Sequence, residues 1–216
     1  MLLRGHGGQP VFRDEIDRAA FLAALQTAFT AERVALHAYA LLPERVWLLC
    51  TPASSQGIGR AVQSLGRGFS ASFNRRHGRT GTVWDGRYRA AVIEDGLPLL
   101  EAMVFVDQAP VREGQVATPL ASAWSSARQH AGIASQYVLT DAETYWMLGN
   151  TPFERWAAYR TLVEEMQGNA KAERLATAAL RGWAIGSQSF LERTAKAATR
   201  PVTPRPRGRP RLKISG

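Results

Sequence analysis

The sequence predicts an α+β fold, with an antiparallel sheet and its helices in the first half of the chain and mainly helices in the second half. Apolar residues recur at helical spacing in several segments, and two short apolar runs flank a Pro-Glu turn at residues 43–44. The chain has 216 residues, 45% of them hydrophobic, which is enough to bury a core. No apolar run approaches the roughly 20 residues of a transmembrane helix, and the N-terminus has no apolar segment typical of a secretory signal. We therefore expect a cytoplasmic protein without a membrane partner.

The first half of the chain alternates between strand and helix patterns. In the first helix, Phe21 and Leu25 fall at helical spacing after an acidic start at Asp14, and in the second, Leu65 and Phe69 share one face. The order strand, helix, strand, strand, helix, strand is typical of a ferredoxin-like α+β sheet. The predicted elements are a short opening strand within residues 1–12, a helix over 14–30, strands over 36–41 and 45–50, a helix over 54–75, a long strand over 82–94 and a helix over 97–108.

The second half of the chain predicts three helices, over residues 151–166, 171–180 and 189–198. Thr151-Pro152-Phe153-Glu154 combines an N-cap threonine, a proline at the first helical position and a glutamate at the third, so the first of these helices should begin there. The glycine-containing turn near Gly182 leaves a helix-turn-helix open as an alternative for the last two.

The end of the chain lacks a core-forming pattern. After residue 199, four prolines and repeated arginines predict a disordered basic tail. Its Arg207-Gly208-Arg209-Pro210 run resembles the core of an AT-hook, an extended motif that enters the narrow minor groove of AT-rich DNA, and a generic polycationic tail is the alternative. The predicted organisation is a core over residues 1–130, a helical C-terminal region over 131–199 and the tail over 200–216.

Basic charge is concentrated in two segments. The net charge is +9, and arginine supplies 24 of the 27 basic residues, which favours planar, forked recognition of phosphate. Residues 60–89 carry seven arginines and one acidic residue, and residues 193–216 carry eight basic residues and no acidic one. Because the rest of the chain is mildly acidic, this segregation points to a polyanionic partner. The alternative is a solvated charged face with a disordered tail.

The arginine-rich middle of the chain carries a more specific pattern. Residues 73–89 read Phe-Asn-Arg-Arg-His-Gly-Arg-Thr-Gly-Thr-Val-Trp-Asp-Gly-Arg-Tyr-Arg, and Gln-Ser-Leu-Gly-Arg precedes them at 63–67. These stretches resemble the middle of the REP-associated tyrosine transposases, a family of single-tyrosine HUH transposases of bacterial insertion sequences. Further stretches that resemble the family occur in the same order at residues 4–12, 36–43, 110–114, 124–126 and 182–190.

The resemblance implies both a fold and an activity. The family has a ferredoxin-like core and nicks single-stranded DNA beside imperfect palindromic hairpins, where a tyrosine forms a 5′-phosphotyrosine link. A divalent ion, Mg²⁺ or Mn²⁺, polarises the phosphate. A His-hydrophobic-His strand motif and a polar residue on the helix of the tyrosine hold this ion.

Four positions of this chain depart from the family pattern. The two histidine positions that follow Leu-Pro hold Arg45 and Trp47, whose side chains offer no lone pair to a metal ion. Counting back from the Ala-Pro-Val segment at 109–111 places Phe105, which has no nucleophilic oxygen, at the position of the tyrosine. The polar metal ligand falls on Ala109. The resemblance thus implies a degenerate catalytic motif, without catalytic residues, a metal site or a cofactor.

The basic segments remain as candidate DNA contacts. Arginines bind phosphates, and Phe73, Trp84 and Tyr88 lie between them and can stack on unpaired bases, with core packing as the alternative for Phe73 and Trp84. His77, in the basic loop, is expected to contact phosphate at most. The candidate DNA-binding residues are Arg60, Arg67, Arg75, Arg76, Arg79, Arg87 and Arg89 in the core and Arg205, Arg207, Arg209 and Arg211 in the tail.

These observations predict a transposase-like DNA-binding protein that recognises hairpin, palindromic or single-stranded DNA without nicking it, in a domesticated or regulatory role. Its tail would add binding to AT-rich duplex, which implies association with the nucleoid, and a homodimer is one possible assembly. Two alternatives stay open. One is an active transposase that works through a 5′-phosphotyrosine intermediate, and the other is a protein-interaction remnant without specific DNA binding.

Overall fold

Three strands form the central sheet. Strands β1 (Leu2–Arg4) and β2 (Val34–Leu42) both pair antiparallel with β3 (Arg45–Pro52), which lies between them. Because a helix joins β1 to β2, this is the split β-α-β arrangement that the order of elements predicts, and the ferredoxin-like α+β fold is confirmed. The structure, a computed structural model, describes residues 1–135, 138–165 and 169–204.

Two long helices cover one face of the sheet. Helix α1 (Glu15–Ala31) begins after Asp14, whose carboxylate accepts the backbone N–H of Asp17 at 3.0 Å, and α2 (Gly57–Arg76) buries every fourth residue against the sheet. These bounds agree with the predicted helices to within a few residues. The core between them contains Phe21, Leu25, Tyr39, Leu41, Val46, Leu48, Leu65, Phe69 and Phe73.

The prediction of a long strand over residues 82–94 is wrong. Residues 83–89 do run antiparallel beside β1, in the place of a fourth ferredoxin-like strand, but they pair with the first strand region only at two isolated bridges. Gly86 adopts a φ of +65° between these bridges, so the chain turns there and the ladder is interrupted. The regular part that remains is a two-residue strand, β4 (Val92–Ile93).

The later part of the chain covers the opposite face of the sheet. Helix α3 (Leu97–Asp107) packs on β2 and β3, and two further helices, α7 (Pro152–Glu165) and α8 (Asn169–Arg181), pack on α3. Strand β5 (Ala184–Ile185) pairs in parallel with β4 and separates α8 from α9 (Gln188–Ala197), so the helix-turn-helix alternative is wrong. The short helices are α4 (Ala109–Arg112), α5 (Ala127–His130) and α6 (Glu143–Trp146).

The three helices predicted for the second half are confirmed, although residue 166, at the end of the first, lies outside the described residues. Apolar residues of α7 and α8 share one hydrophobic core with α3 and the sheet. The boundary at residue 130 stays a prediction, as does the tail, of which residues 205–216 lie outside the described part. Within the described ranges, none of the helices has the length and apolar character needed to cross a bilayer.

A buried carboxylate links the two halves of the chain. Asp107, at the end of α3, is fully buried and accepts hydrogen bonds from the Ser126 hydroxyl, from Nδ1 of His130 at 2.7 Å and from the Tyr159 hydroxyl at 2.7 Å. Nε2 of His130 donates to the backbone carbonyl of His37 in β2 at 2.9 Å. Burial, followed by the nearby Asp107, raises the pKa of Tyr159 well above its usual value, so this side chain donates as a neutral phenol.

We expect Asp107→Ala to destabilise the fold strongly, because it leaves three buried donors without their acceptor. Breaking a buried hydrogen-bonded charge of this kind costs about 3 kcal/mol or more. For a chain of this size that corresponds to a fall in Tm of roughly 6–12 °C. Differential scanning calorimetry measures the shift. The exposed Asp95, in the loop before α3, provides the control, and equal Tm values for Asp107→Ala and Asp95→Ala would contradict the assigned role.

Candidate nucleic-acid interface

A groove of about 830 Å³ lies between α2 and residues 81–88. The segment is fixed to the edge of β1, since the backbone N–H of Asp85 donates to the carbonyl of Arg4 at 2.8 Å and that of His6 donates to Val83 at 2.9 Å. Helix α2 forms the other wall with the face opposite its buried residues. Both walls therefore belong to elements that the core holds in place.

Four arginines line this groove. Arg67 and Arg87 are exposed and form no ion pair within the described ranges. Arg60 and Arg4 each hold one carboxylate, with N–O distances of 2.8 Å and 2.9 Å respectively. The groove thus presents two unpaired guanidinium groups and two partly neutralised ones, an arrangement suited to the phosphates of a nucleic-acid backbone.

Two aromatic side chains contribute to the groove. Trp84 and Tyr88 are half-buried and line it, whereas Phe73 is only 2% exposed and belongs to the core. The ring of Trp84 also packs on Phe21 and Phe69, with centroids 5.9 Å and 5.7 Å away. Phe73 is therefore a core residue, whereas Trp84 both packs against the core and lines the groove. The indole N–H of Trp84 is buried without a partner in the described structure, which leaves one hydrogen-bond donor unused beside the groove.

The other predicted arginines lie outside the groove lining. Arg75 and Arg89 are exposed on α2 and at the end of the 83–89 segment, and Arg79 stacks over the ring of Phe73 at 5.5 Å. Their contact with DNA stays a prediction. The tail arginines, Arg205, Arg207, Arg209 and Arg211, lie outside the described residues.

Arg76 and His77 contact helix α1. The guanidinium of Arg76 binds the carboxylates of Asp14 at 2.6 Å and Asp17 at 2.5 Å. Nε2 of His77 lies 2.9 Å from the same Asp17, whose side chain is only 2% exposed. These contacts join the end of α2 to the start of α1, so the structure gives His77 a carboxylate partner where the sequence suggested a phosphate.

Three of the four positions that the resemblance assigns to catalysis lie together. Arg45, Trp47 and Phe105 line a second cavity of about 340 Å³. The rings of Trp47 and Phe105 meet edge to face with centroids 4.9 Å apart, and each residue is 7% exposed. Ala109 is 1% exposed and packs in the core beside this cavity without lining it.

Charged side chains surround the aromatic pair. The guanidinium of Arg112 lies 4.0 Å above the ring of Phe105 and donates to the Phe105 carbonyl at 2.6 Å. Arg45 pairs with Glu113 at 3.1 Å. Burial lowers the pKa of Arg112 to about 10, so this side chain is still a cation at neutral pH.

The residues of this cavity do not fit a divalent ion. Guanidinium and indole groups offer no lone pair, the carboxylate of Glu113 is held by Arg45, and the exposed Glu173 is the one other carboxylate of the lining. Arg45 and Arg112 would also repel a cation. Over the described ranges, three or more His, Cys, Asp or Glu side chains nowhere come together in a group able to hold a metal.

Sequence reasoning missed two arginines of these cavities. Arg4 lies directly opposite Arg45 in the pairing of β1 with β3, a register that becomes visible only when the sheet is known. Arg112 follows Phe105 by seven residues, which is two helical turns, and this spacing offered a usable signal.

Comparison with known proteins supports the fold. No protein-family model matches this chain, and no curated protein matches it. A solved structure, that of a REP-associated tyrosine transposase bound to a REP hairpin, is similar with a TM-score of 0.50 and 12% sequence identity. The match covers 66% of this chain and 84% of that chain. The likeness confirms, at the level of the fold, the resemblance that the sequence motifs indicate.

The contact between α1 and α2 predicts an acid-sensitive stability. The hydrogen bonds from Arg76 lower the pKa of Asp14 to about 2. Burial opposes ionisation of Asp17, but the backbone N–H of Arg13 and the side chains of His77 and Arg76 keep the pKa of Asp17 below its usual value. Because both pKa values lie below those of the unfolded chain, the ionised carboxylates contribute stability above about pH 4, and this contribution is lost as the pH falls towards about 2.

We expect Arg76→Gln to reduce the free energy of unfolding at neutral pH and to flatten its decline between about pH 4 and pH 2, since the shared partner of both carboxylates is gone. Urea denaturation at a series of pH values measures this. Arg75→Gln removes the same charge from the neighbouring exposed position and should follow the wild-type curve. Parallel acid limbs for Arg76→Gln and the wild type would count against the assigned contact.

Proposed function

We propose that this chain is a transposase-like protein, related to the REP-associated tyrosine transposases, that binds hairpin or single-stranded DNA and does not nick it. The groove between α2 and residues 81–88 carries this proposal, because it places Arg4, Arg60, Arg67 and Arg87 around one channel on a transposase-like fold. A groove of about 830 Å³ has room for nucleotides of an unpaired strand. Association with the nucleoid would follow from DNA binding of this kind.

The chemistry of the groove suits unpaired or distorted DNA. Its arginines are arranged along two walls, where they can follow a phosphate backbone, and Tyr88 offers an aromatic surface for a base. These features support binding through the backbone together with a limited number of base contacts.

The second part of the proposal, the loss of nicking, rests on the cavity of Arg45, Trp47 and Phe105. A hydroxyl at position 105 is missing, and the residues that line the cavity include no tyrosine, serine or threonine. Among the residues that line the cavity, the carboxylates are those of Glu113, which Arg45 holds, and of the exposed Glu173, and the imidazole pair that the resemblance assigns to the metal is replaced by Arg45 and Trp47. A protein of this kind can compete with an active relative or repress its target.

We also propose that the tail binds AT-rich duplex DNA. The support is its Arg-Gly-Arg-Pro run, since arginine side chains are attracted to the negative potential of a narrow minor groove. This contact would be independent of the groove in the core.

We expect Arg67→Gln and Arg87→Gln each to weaken binding of a hairpin oligonucleotide about fivefold, as for an exposed ion pair worth about 1 kcal/mol. Each lost phosphate contact should also reduce the log–log slope of affinity against salt by about 0.7–0.9. Fluorescence anisotropy over a range of salt concentrations measures both quantities.

Arg174→Gln is the matched control, because Arg174 is exposed on α8 and lines neither the groove nor the cavity of Arg45. A chain that ends before Arg205 should keep hairpin binding and lose any preference for AT-rich duplex. If all three substitutions weaken binding equally, the groove has no special role, and failure of the wild type to bind hairpin DNA overturns the proposed function.

We expect no cleavage and no covalent adduct when the protein is incubated with single-stranded hairpin DNA and Mg²⁺ or Mn²⁺. Phe105→Tyr alone should also be inactive, because the arginine and indole side chains still leave no site for a metal. Denaturing gel electrophoresis of end-labelled DNA, with and without protease treatment, detects both products.

The combined variant Arg45→His, Trp47→His, Phe105→Tyr and Ala109→Asn is the positive counterpart of this experiment. It restores the residue types that the resemblance assigns to these positions, and a trace of adduct is the expected result. A metal-dependent adduct formed by the unmodified chain would establish the active transposase instead.

A further inference from the structure

A third cavity, of about 460 Å³, lies outside the proposed DNA interface. Its walls are the end of α5 with the loop that follows, the residue that leads into α6 with the middle of α6, and the first turn of α7. These segments are connected to the β2 edge of the sheet, where Ala40 forms a bridge with Ser125 and the N–H of Thr140 donates to Leu36. The groove borders the opposite edge, at β1, and shares no lining residue with this cavity. A ligand of the third cavity would therefore use none of the residues that line the groove.

The third cavity contains a buried cation. Arg155 lines it, is only 7% exposed and stacks its guanidinium over the ring of Trp146 at 4.1 Å. Among the described residues its one hydrogen bond is to the carbonyl of Gly149 at 3.0 Å, and it forms no ion pair. The neighbouring carboxylate of Glu154 accepts two backbone N–H groups before α7 and lies outside the lining. Because a guanidinium has five N–H donors and a buried charge is costly without partners, an acceptor in the cavity would stabilise Arg155.

Asp141 supplies a negative charge to the same cavity. Its half-buried carboxylate accepts no hydrogen bond from the described residues. Burial, followed by the charge of Asp141, raises the pKa of Tyr145 to about 12, whereas Arg155 acts in the other direction, so both charges lie near this phenol. The phenol itself is occupied, since it donates to the carbonyl of His130 at 2.7 Å. Asp141 and Arg155 are the charged residues of the lining, so the cavity is neutral overall and offers a charged acceptor and a charged donor.

Trp156 forms an aromatic wall of the cavity. The indole is half-buried, and its ring meets that of Phe153 edge to face with centroids 5.1 Å apart. The loop after α5 also holds it, because a Cβ at Gly132, which has a φ of +70°, would lie 2.2 Å from Cδ2 of Trp156. A flat heterocycle in the cavity can therefore stack on a ring that the surrounding residues keep in place.

A guanine base matches this combination of groups. Its N1–H and 2-amino group donate side by side, a pattern that a carboxylate accepts with both oxygens, while O6 and N7 accept from an arginine. Adenine has an acceptor nitrogen in place of N1–H and an amino group in place of O6. It would therefore set an acceptor against the carboxylate and a donor against the guanidinium.

We propose that the third cavity binds the guanine base of a nucleotide. Asp141 accepts the N1–H and 2-amino groups, Arg155 donates to O6, and Trp156 stacks on the ring. The inference goes beyond the proposed DNA binding and does not rest on it. A free nucleotide and an unpaired guanosine of a nucleic acid share this chemistry, and the experiment separates them.

The first test compares guanosine and adenosine monophosphates by isothermal titration calorimetry. The guanine nucleotide should bind about tenfold more tightly, as expected for one bidentate pair, and Asp141→Asn should remove this preference. The same variant should gain affinity for xanthosine monophosphate, since xanthine carries an oxygen in place of the 2-amino group and an asparagine amide can donate to it. This gain does not depend on loss of function. Asp95→Asn, at an exposed position before α3 and outside the lining, is the matched control and should keep the wild-type preference.

The second test identifies the source of the base. A thymidine pentanucleotide with one central guanosine is compared with the same strand carrying adenosine, so that any contact with the phosphates is common to both. If only the strand shows a guanine preference, and Asp141→Asn abolishes it, the ligand is a nucleic acid. If only the mononucleotides show it, the ligand is a free nucleotide.

The outcomes are separate from those of the proposed function. Equal binding of the guanine and adenine forms in both tests, or a guanine preference that Asp141→Asn leaves unchanged, overturns the guanine site. Neither result alters the expected effect of Arg67→Gln on hairpin binding, because Arg67 lines the groove alone. Failure of the wild type to bind hairpin DNA would in turn refute the proposed function and leave a measured guanine preference standing.

Discussion

The buried carboxylate of Asp107 is the contact on which the arrangement of this molecule depends. It lies at the end of α3 and accepts hydrogen bonds from three side chains that belong to distant parts of the chain, Ser126, His130 and Tyr159. A buried carboxylate needs hydrogen-bond donors to offset the loss of water, so the loss of any of the three would destabilise it. The network therefore fixes α3 against the sheet, and with it the helices that pack on α3.

The position of α3 determines where Phe105 lies in the cavity that it shares with Arg45 and Trp47. Phe105, two residues before Asp107, is held against Trp47 of β3, and the start of β3 brings Arg45 opposite Arg4. Arg4 also borders the groove, so one strand position contributes to the lining of both. The pairing of β1 with β3 thus fixes the positions of Arg4 and Arg45. The arginine-rich helix α2 forms the second wall of the groove.

The sequence predicted local features well and long-range partners poorly. Helical spacing located α1 and α2, because burial of every fourth residue leaves a trace in the chain itself. The strand predicted over 82–94 failed because alternation of residue types does not show that Gly86 takes a positive φ. The carboxylate partners of Arg76 left no sign in the sequence, because Asp14 and Asp17 are some sixty residues away, and the contact of Arg76 with DNA stays a prediction. The three donors to Asp107 were equally hidden, since they lie 19 to 52 residues further along the chain. The candidate catalytic positions came from counting against a family motif, and the structure brings three of the four together.

The residues at the positions that the resemblance assigns to catalysis pack against one another as a consistent set. Phe105 lies between the edge of Trp47 and the guanidinium of Arg112, at 4.9 Å and 4.0 Å, so each of its two neighbours depends on an aromatic ring at position 105. Replacing Trp47 by a smaller side chain would leave a cavity that costs about 3 kcal/mol or more. Packing energy therefore favours a large aromatic side chain at position 47, whereas at position 105 the ring contacts suit phenylalanine and tyrosine alike. The cavity of about 340 Å³ that remains beside the aromatic pair is lined by arginine and glutamate side chains, so the charges around it partly neutralise one another.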